Sequence, residues 1–306
     1  LQPMTQAPAQ KPLHIVTHSG SFHADDVLAV ALVRAFVDPN ATVERTRDQA
    51  RIAAADVVVD VGSVYDPATR RFDHHQRTYE GPLSSAGMVL AWLHAEQHIA
   101  AELAARLRAD LVDYVDAVDN GQRTPDPGVP CFSSVIGAMG DAHASSGGYN
   151  ALFGHAADMA LRLVRGIEAG WVATCEARAD VEAAMRKAIE TGGAVLELER
   201  FIKWKPAYFE LGGAEHPTDY VAFPGDSDYR VIAVPPSLGS FDEKRPFPES
   251  WAGLEGDALS AVTGIPGARF CHKNRFIAVF ENREVAWETL SRWGLTHRDR
   301  GCGGGG

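Results

Sequence analysis

The sequence predicts an α/β fold, with a mostly parallel sheet flanked by helices and a second, smaller α/β domain after it. Two short runs rich in β-branched residues, 14–18 and 55–61, are typical of strands. The second run is apolar without alternation, as expected for a strand buried on both faces. Residues 25–37 lie between the two runs and repeat apolar side chains at helical spacing. This order of strand, helix and strand favours parallel pairing.

Helical periodicity continues through the middle of the chain. Residues 84–118 predict two helices with a break near His98. Residues 137–154 are rich in glycine, serine and histidine and predict a connection, after which residues 156–190 predict one long helix. We therefore place a domain boundary near residues 192–193, which gives a first domain of residues 13–192.

The second domain, residues 193–297, contains shorter elements. Its strand-like runs are residues 207–211, 220–223, 230–234 and 276–280, and residues 284–293 predict a helix. Residues 1–12 are polar and rich in proline and glutamine, and residues 298–306 are rich in glycine. Both ends are therefore expected to be disordered tails.

Composition narrows the class of protein. The chain is 45% hydrophobic and 23% charged over 306 residues, as in globular proteins. Its net charge of -11 argues against a broad basic surface for long duplexes, so a nucleic-acid partner should be short, single-stranded or bound only locally. No apolar stretch is long enough for a membrane span, and the start lacks a secretory-signal pattern. The 4 cysteines form no C-x-x-C pair, which favours a reducing cytoplasm.

Histidines and aspartates form four clusters in the first half of the chain. They are His18, His23, Asp25 and Asp26; Asp60; Asp73, His74 and His75; and Asp116 and Asp119. Several follow a predicted strand, where ligands collect in α/β sheets. Mixed imidazole and carboxylate donors without thiolates suit Mn²⁺, Fe²⁺ or Zn²⁺. Five or six ligands fit two ions about 3.5–4 Å apart that share a carboxylate.

Simpler explanations exist for several of these residues. A single aspartate after a strand is usually a turn former or a helix cap, so Asp60 alone would prove little. Asp25 and Asp26 could favour a helix N-terminus through the helix dipole, and His18 and His23 could be ordinary loop residues. The Asp73-His74-His75 run is harder to explain in this way, because adjacent histidines offer little to a core or a turn.

The motifs resemble those of a known family. H-x4-H-x-D-D, VVVDVG, FDHH and DAVDNG occur in the order typical of the DHH phosphoesterase superfamily, and most closely of the melanocyte-proliferating-gene exonuclease family within it. Later stretches, RPFPESWAGL and TGIPGARFCH, match in the same order. Relatives mostly carry H-x3-D-x-D in the first motif, whereas this chain has His23 in place of the first aspartate.

The resemblance implies a DHH-type domain whose metal ligands can be named. It assigns His18, His23 and Asp25 to the first motif, makes Asp60 the bridging carboxylate, and makes His74 and Asp119 ligands of the second ion. Asp26, Asp60 and His75 form the predicted catalytic set, in which His75 either contacts the ligands from outside or faces the phosphate. The implied reaction is attack of a metal-activated hydroxide on phosphorus, with two divalent ions, Mn²⁺ being the first choice.

Substrate contacts are predicted in both domains. Ser84 and Ser85 lie at a predicted helix N-terminus that could donate hydrogen bonds to a phosphate, although helix capping would explain them equally well. In the second domain, the basic residues expected to hold the far end of the substrate are Arg269, His272, Lys273 and Arg275. Scattered surface charges are the simpler explanation, and the relatives' FIGG continuation is FIAVF here.

Three functions follow from these observations. The first is a Mn²⁺-dependent 3′–5′ exonuclease on RNA or short single-stranded oligonucleotides, as the resemblance implies. The second is hydrolysis of a small nucleotide or phosphate compound, such as a cyclic dinucleotide or pyrophosphate, which the acidic net charge favours. The third is a metal-binding scaffold without turnover. The sequence leaves the oligomeric state open, with a homo-oligomer as one option.

Overall fold

The protein folds into two compact units, which divide between Trp171 and Val172. A computed structural model describes residues 11–144 and 148–298. Each unit contains a five-stranded sheet with helices, so the predicted α/β class is confirmed. The predicted tails, residues 1–12 and 298–306, lie almost entirely outside the described residues.

The first sheet is mostly parallel. Its strands are β1 (His14–Thr17), β2 (Thr42–Arg45), β3 (Val57–Val59), β4 (Tyr65–Asp66) and β5 (Arg71–Phe72), in the order β2-β1-β3-β5-β4. β1 pairs in parallel with β2 and β3, and β3 with β5, while β4 runs antiparallel to β5. The carboxyl ends of the three middle strands therefore meet at one edge of the sheet.

Helix α1 lies at the centre of the helices of the first unit and contacts three of them, α3, α5 and α6. In chain order, the first six helices are α1 (Ala24–Phe36), α2 (Gln49–Ala54), α3 (Ser85–Ala95), α4 (Ala101–Leu107), α5 (Asp113–Asp119) and α6 (Phe132–Asp141). Residues 24–33 of α1 are all buried, since its apolar sequence packs against the sheet on one side and α3 and α5 on others. The break expected near His98 is confirmed, because α3 and α4 are separate helices.

The connection predicted at residues 137–154 is wrong in part. α6 extends into that stretch, and α7 (Tyr149–Thr191) begins seven residues before the predicted helix start at 156. Burial of two apolar side chains explains why α7 starts early: Leu152 and Phe153, in its first turns, lie in the core of the first unit. Glycines within this stretch did not prevent helix formation because that burial outweighs their low propensity.

The second sheet is mixed. Its strands are β6 (Val195–Glu197), β7 (Tyr220–Pro224), β8 (Tyr229–Ala233), β9 (Ala268–Cys271) and β10 (Ile277–Phe280), in the order β6-β7-β8-β10-β9. β6 and β7 are parallel and the remaining pairs are antiparallel. The helices of this unit, besides the end of α7, are α8 (Trp204–Glu210), α9 (Gly256–Thr263) and α10 (Arg283–Arg292).

Two sequence predictions differ from the structure here. Residues 207–211 are not a strand: 207–210 belong to α8, where Ala207 and Tyr208 are fully buried. Pro206 is tolerated because it lies in the first turn, where its missing N–H costs little. The division between the units falls after Trp171, inside α7, rather than near residues 192–193. Val181 and Met185 of that helix lie in a core cluster of the second unit.

None of the helices in the described part of the chain is long and apolar enough to cross a membrane.

Candidate metal centre

The fold brings the four clusters to one edge of the first sheet. His18 follows β1, Asp60 follows β3, and His74 follows β5. Because these strands are parallel neighbours, the three residues emerge side by side at their carboxyl ends. Asp119 is the last residue of α5, and Asp25 lies in the first turn of α1. The site is thus built from strand ends and helix ends, which hold side chains in fixed directions.

Asp60 lies at the centre of this arrangement. Its Oδ2 is 3.2 Å from His18 Nε2, and its Oδ1 is 3.5 Å from His74 Nε2. His74 Nε2 also lies 3.1 Å from Asp119 Oδ2 and 3.7 Å from Asp25 Oδ2. The two oxygens of Asp60 therefore face different imidazoles, as a carboxylate shared between two cations would.

All six predicted ligands occur in groups whose donor atoms lie within 4.8 Å of one another. The groups are His18, His23 and Asp60; Asp60, His74 and His75; and His23, Asp25 and Asp119. Asp60 and His23 each belong to two of them. The structure therefore brings together the ligand set that the sequence predicts.

Unsatisfied atoms show that this set fits a cation. Asp25 is fully buried, and its Oδ1 accepts no hydrogen bond from the described residues. His74 Nε2 is also buried and makes no hydrogen bond within the described part of the chain, although Asp119 Oδ2 lies 3.1 Å away. A buried polar atom without a partner costs roughly 1–3 kcal/mol. A divalent ion bound among these donors would satisfy both atoms.

Burial and crowding shift the pKa values of the carboxylates. The pKa of Asp25 lies well above its usual range because the group is buried and close to the negative charges of Asp60 and Asp119. Burial raises the pKa of Asp26 to about 7. Burial also opposes ionisation of Asp60, but the imidazoles of His18 and His74 outweigh it and lower the pKa. Cations would replace the protons that this cluster otherwise retains.

A neighbouring amide sets the orientation of His74. Asn120 donates from Nδ2 to the carbonyl of Pro82 at 3.0 Å, so its Oδ1 faces His74 Nδ1, also at 3.0 Å. His74 Nδ1 must then carry the proton, which leaves Nε2 directed at the carboxylates as a ligand. The ligand prediction missed Asn120, although its position directly after Asp119 was the available signal.

Asp26 has a structural role as well as a place near the site. Its Oδ1 accepts a hydrogen bond from the backbone N–H of His23 at 3.0 Å, which completes a capping box at the start of α1. Its Oδ2 lies 3.3 Å from His18 Nε2. The helix-capping explanation therefore applies, and the same carboxylate also contacts a predicted ligand.

His75 differs from His74 in its exposure. Its side chain is 60% exposed, and its Nδ1 lies 2.8 Å from Asp73 Oδ1. Asp73 is buried, and its Oδ2 accepts a hydrogen bond from the backbone N–H of Ser63 at 2.6 Å, which fixes the carboxylate that contacts His75. Asp73 thus orients an exposed imidazole at the rim of the site.

Asp60 also has an unusual backbone. Its φ is 54°, in the left-handed region, and it follows directly after β3. Among residues other than glycine, aspartate and asparagine tolerate this conformation best. The turn aims the carboxylate across the strand ends.

Comparisons with known proteins identify the family of this chain. The model of the MYG1 exonuclease family, described as uncharacterised protein family UPF0160, matches residues 14–292. This protein belongs to the MYG1 exonuclease family. A MYG1 protein of Chlamydia pneumoniae is 39% identical over 295 residues, which cover 95% of this chain and 99% of that protein. MYG1 exonuclease of Rattus norvegicus is 33% identical, with 90% of this chain and 83% of that protein covered.

Solved structures are more distant from this MYG1-family chain. RecJ of Thermus thermophilus, in complex with Mn²⁺, aligns with a TM-score of 0.28 and 15% identity. The alignment covers 92% of this chain and 51% of RecJ, so the chain spans about half the length of that protein. A similarity at this level supports no conclusion about function.

The structure corrects the prediction for the two serines of this MYG1-family chain. Ser84 and Ser85 are fully buried. Ser84 donates its hydroxyl and its backbone N–H to Asp116 Oδ1, at 2.6 and 3.0 Å. Ser85 donates to Asp60 Oδ1 and, from its backbone, to Asp25 Oδ2 at 3.3 and 3.4 Å. These donors hold carboxylates and are not available to a phosphate.

The four basic residues of the second unit do not form one group. Arg269 donates to the carbonyl of Ser227, in the β7–β8 turn at one end of the sheet. His272, Lys273 and Arg275 lie in the β9–β10 turn at the other end, where Arg275 donates to the carbonyl of Phe247. These four residues therefore offer no single phosphate site.

A cavity of about 870 Å³ in the second unit lies elsewhere. None of the four basic residues lines it, whereas Glu197, Asp226 and Arg283 do. Its lining includes more acidic than basic side chains, so it does not replace the predicted phosphate contacts.

Proposed function

We propose that this protein is a metal-dependent exonuclease that removes nucleotides from the 3′ end of RNA or other short single-stranded oligonucleotides. The position of Asp60, whose two oxygens face different imidazoles, is the observation that carries the proposal. The exonuclease activity named for the MYG1 relatives supports it. The proposed ligands of two divalent ions, preferentially Mn²⁺, are His18, His23, Asp25, Asp60, His74 and Asp119.

A pair of such ions supplies Lewis acidity, which activates water and neutralises charge on the phosphoryl oxygens. The residues of the chain supply position. Asn120 fixes the His74 ring, while Ser85 donates hydrogen bonds to the carboxylates of Asp25 and Asp60. Little rearrangement is then needed for binding, and such preorganisation accounts for a large share of enzymatic rate enhancement.

His75 is the proposed contact to the reacting phosphate. It is exposed at the rim, close to Asp60 at 3.4 Å, and Asp73 holds its Nδ1. The opposite nitrogen, Nε2, can then donate a hydrogen bond to a phosphoryl oxygen or a proton to the leaving oxygen.

The length of the proposed substrate follows from the charge of the protein. A net charge of -11 disfavours a long polyanion, so we propose substrates of a few nucleotides, for which the metal centre itself supplies most of the attraction.

The proposed location follows from the cysteines. Among the described residues, Cys131, Cys175 and Cys271 are free thiols, as is typical of a reducing compartment. We therefore place the protein in the cytoplasm.

Hydrolysis of a 5′-labelled RNA of a few nucleotides tests the function. With Mn²⁺, the wild-type protein should produce a ladder that shortens one nucleotide at a time. Asp60→Asn should reduce the rate by about 10³-fold or more, since the shared carboxylate contributes several kcal/mol of transition-state stabilisation through the metals. Asp158→Asn on the exposed face of α7 is the matched control and should behave as wild type.

Other results would change the proposal. A single internal cut would mean an endonuclease, and loss of label from the 5′ end would reverse the direction. The acidic charge keeps a second candidate open: intact RNA with rapid hydrolysis of a cyclic dinucleotide or pyrophosphate, dependent on Asp60, would establish a small-molecule phosphoesterase. Metal binding without hydrolysis of any of these substrates would establish a scaffold.

A further inference from the structure

Arg45 lies outside every motif of the metal centre, yet it contacts the loop that carries two proposed ligands. We propose that Arg45 is a positioning residue that holds the loop of residues 19–22 and thereby sets the metal affinity of the half of the site formed by His18 and His23. The inference rests on the proposed metal site. It concerns neither the substrate nor a new ligand.

Strand pairing places Arg45 beside the loop. It is the last residue of β2 and pairs in register with Thr17, the residue before His18. Its Nη2 donates to the carbonyls of Gly20 and Ser21 at 2.8 and 3.3 Å. One guanidinium nitrogen thus joins two carbonyls of the loop, at a point where Gly20 has a φ of 92°.

The other side of the guanidinium is fixed as well. Arg45 Nη1 donates to Asn150 Oδ1 at 3.0 Å, in the first turn of α7. The guanidinium lies over the rings of Phe22 and Phe153, at 5.5 and 4.7 Å from their centroids. Phe22 is a buried member of the loop and meets Phe153 edge-on at 5.7 Å. Arg45 therefore links the loop to a helix through polar and aromatic contacts together.

Asp26 fixes the far end of the same loop. Its Oδ1 accepts the backbone N–H of His23 and caps α1, and its Oδ2 lies 3.3 Å from His18 Nε2. Arg45 and Asp26 therefore hold the loop at different points, Arg45 at Gly20 and Ser21 and Asp26 at His23.

The predicted effect is unequal across the site. Without the Arg45 contacts, His18 and His23 sample more positions, and loss of a contact that orients ligands typically weakens metal binding by about 10–100-fold. The group of Asp60, His74 and His75 should weaken least, because it contains neither of these histidines and Asn120 orients His74 independently. One of two binding events should therefore weaken more than the other.

Calorimetric titration with Mn²⁺ tests this on the full chain. Arg45→Met keeps an unbranched apolar side chain against the two phenylalanines but removes all donors. Arg45→Lys keeps the positive charge. Its ammonium group lacks the planar fork of the guanidinium and should not reproduce all of the hydrogen bonds of Arg45. Arg47→Met, two residues further on and exposed, is the matched control.

We expect two binding events in wild type and in Arg47→Met, and a loss of at least about 10-fold at one event in Arg45→Met. Arg45→Lys should lie between them, and excess Mn²⁺ should restore binding. Equal affinities with only a lower melting temperature would reduce Arg45 to a structural role, and equal weakening of both events would contradict its action through the loop. If Arg45→Met does not fold, the lysine variant decides on the same criteria.

The outcome is separable from that of the proposed function. If wild type binds Mn²⁺ in two events but leaves RNA intact, the exonuclease proposal fails while the Arg45 comparison stands. If wild type binds no Mn²⁺, both fail.

Discussion

The two units treat their buried charges in opposite ways. The first unit gathers Asp25 and Asp60, with Asp119 close by, although like charges repel. The second unit pairs opposite charges: buried Asp219 accepts a hydrogen bond from Arg298 Nε at 2.9 Å, and Glu197 accepts from Arg283. The charges of these pairs have partners within the protein, whereas the crowded carboxylates of the first unit retain protons or bind cations. The difference supports the proposed metal site in the first unit.

Removing one carboxylate of the cluster should affect stability and activity in opposite directions. At mildly alkaline pH in a chelator, Asp25→Asn should raise the free energy of unfolding by about 1 kcal/mol, because burial and Asp60 disfavour the charged group. In Mn²⁺, the same variant should lose about 10³-fold in activity. Urea unfolding and RNA hydrolysis provide the two measurements.

The control for this experiment is Asp158→Asn, whose side chain is 66% exposed and which should change neither quantity. A less stable Asp25→Asn in the chelator would show that the protein itself stabilises the carboxylate, and the contrast between the units would break down.

The outer contact of His74 should have a smaller effect. Asn120→Ala removes the acceptor of His74 Nδ1, so the ring can rotate or carry its proton on Nε2. We expect metal affinity to fall by about 10–100-fold, with recovery of activity at high Mn²⁺. The metal dependence of the hydrolysis rate measures this, and Gln122→Ala in the adjacent exposed loop is the control. An unchanged metal dependence would remove Asn120 from the site.

The charge pairs of the second unit should matter for stability alone. Arg298→Ala leaves buried Asp219 without its cation and should lower the free energy of unfolding by about 1–2 kcal/mol, discounted because the Arg298 side chain is 49% exposed. Activity per folded molecule should not change. Arg186→Ala on the exposed face of α7 is the comparison. Loss of activity at full stability would give this pair a functional role instead.

Periodicity and strand runs predicted most of the fold, because they report which face of each element is buried. β1, α1, β3 and α10 lie within a few residues of their predicted positions. The failures occurred where tertiary burial decides. The five residues 207–211 are too few to distinguish a helix from a strand, and α8 forms because Tyr208 packs into a core.

The candidate site shows the same limit. Residue chemistry and the family resemblance predicted the donors around Asp60, since ligand types must be written in the sequence itself. Contacts that orient them are not written there: Arg45 reaches the first motif only through the pairing of β1 and β2. Ser84 was misassigned because the sequence of a helix N-terminus is the same whether its serine binds a phosphate or, as here, a carboxylate of α5.

The left-handed backbone of Asp60 restricts which substitutions there leave the turn undisturbed. Asparagine and glycine adopt a φ of 54° readily, whereas most other residues there incur about 1 kcal/mol or more in strain. Asparagine therefore removes the charge of Asp60 while retaining its turn, and a bulkier residue would change both at once.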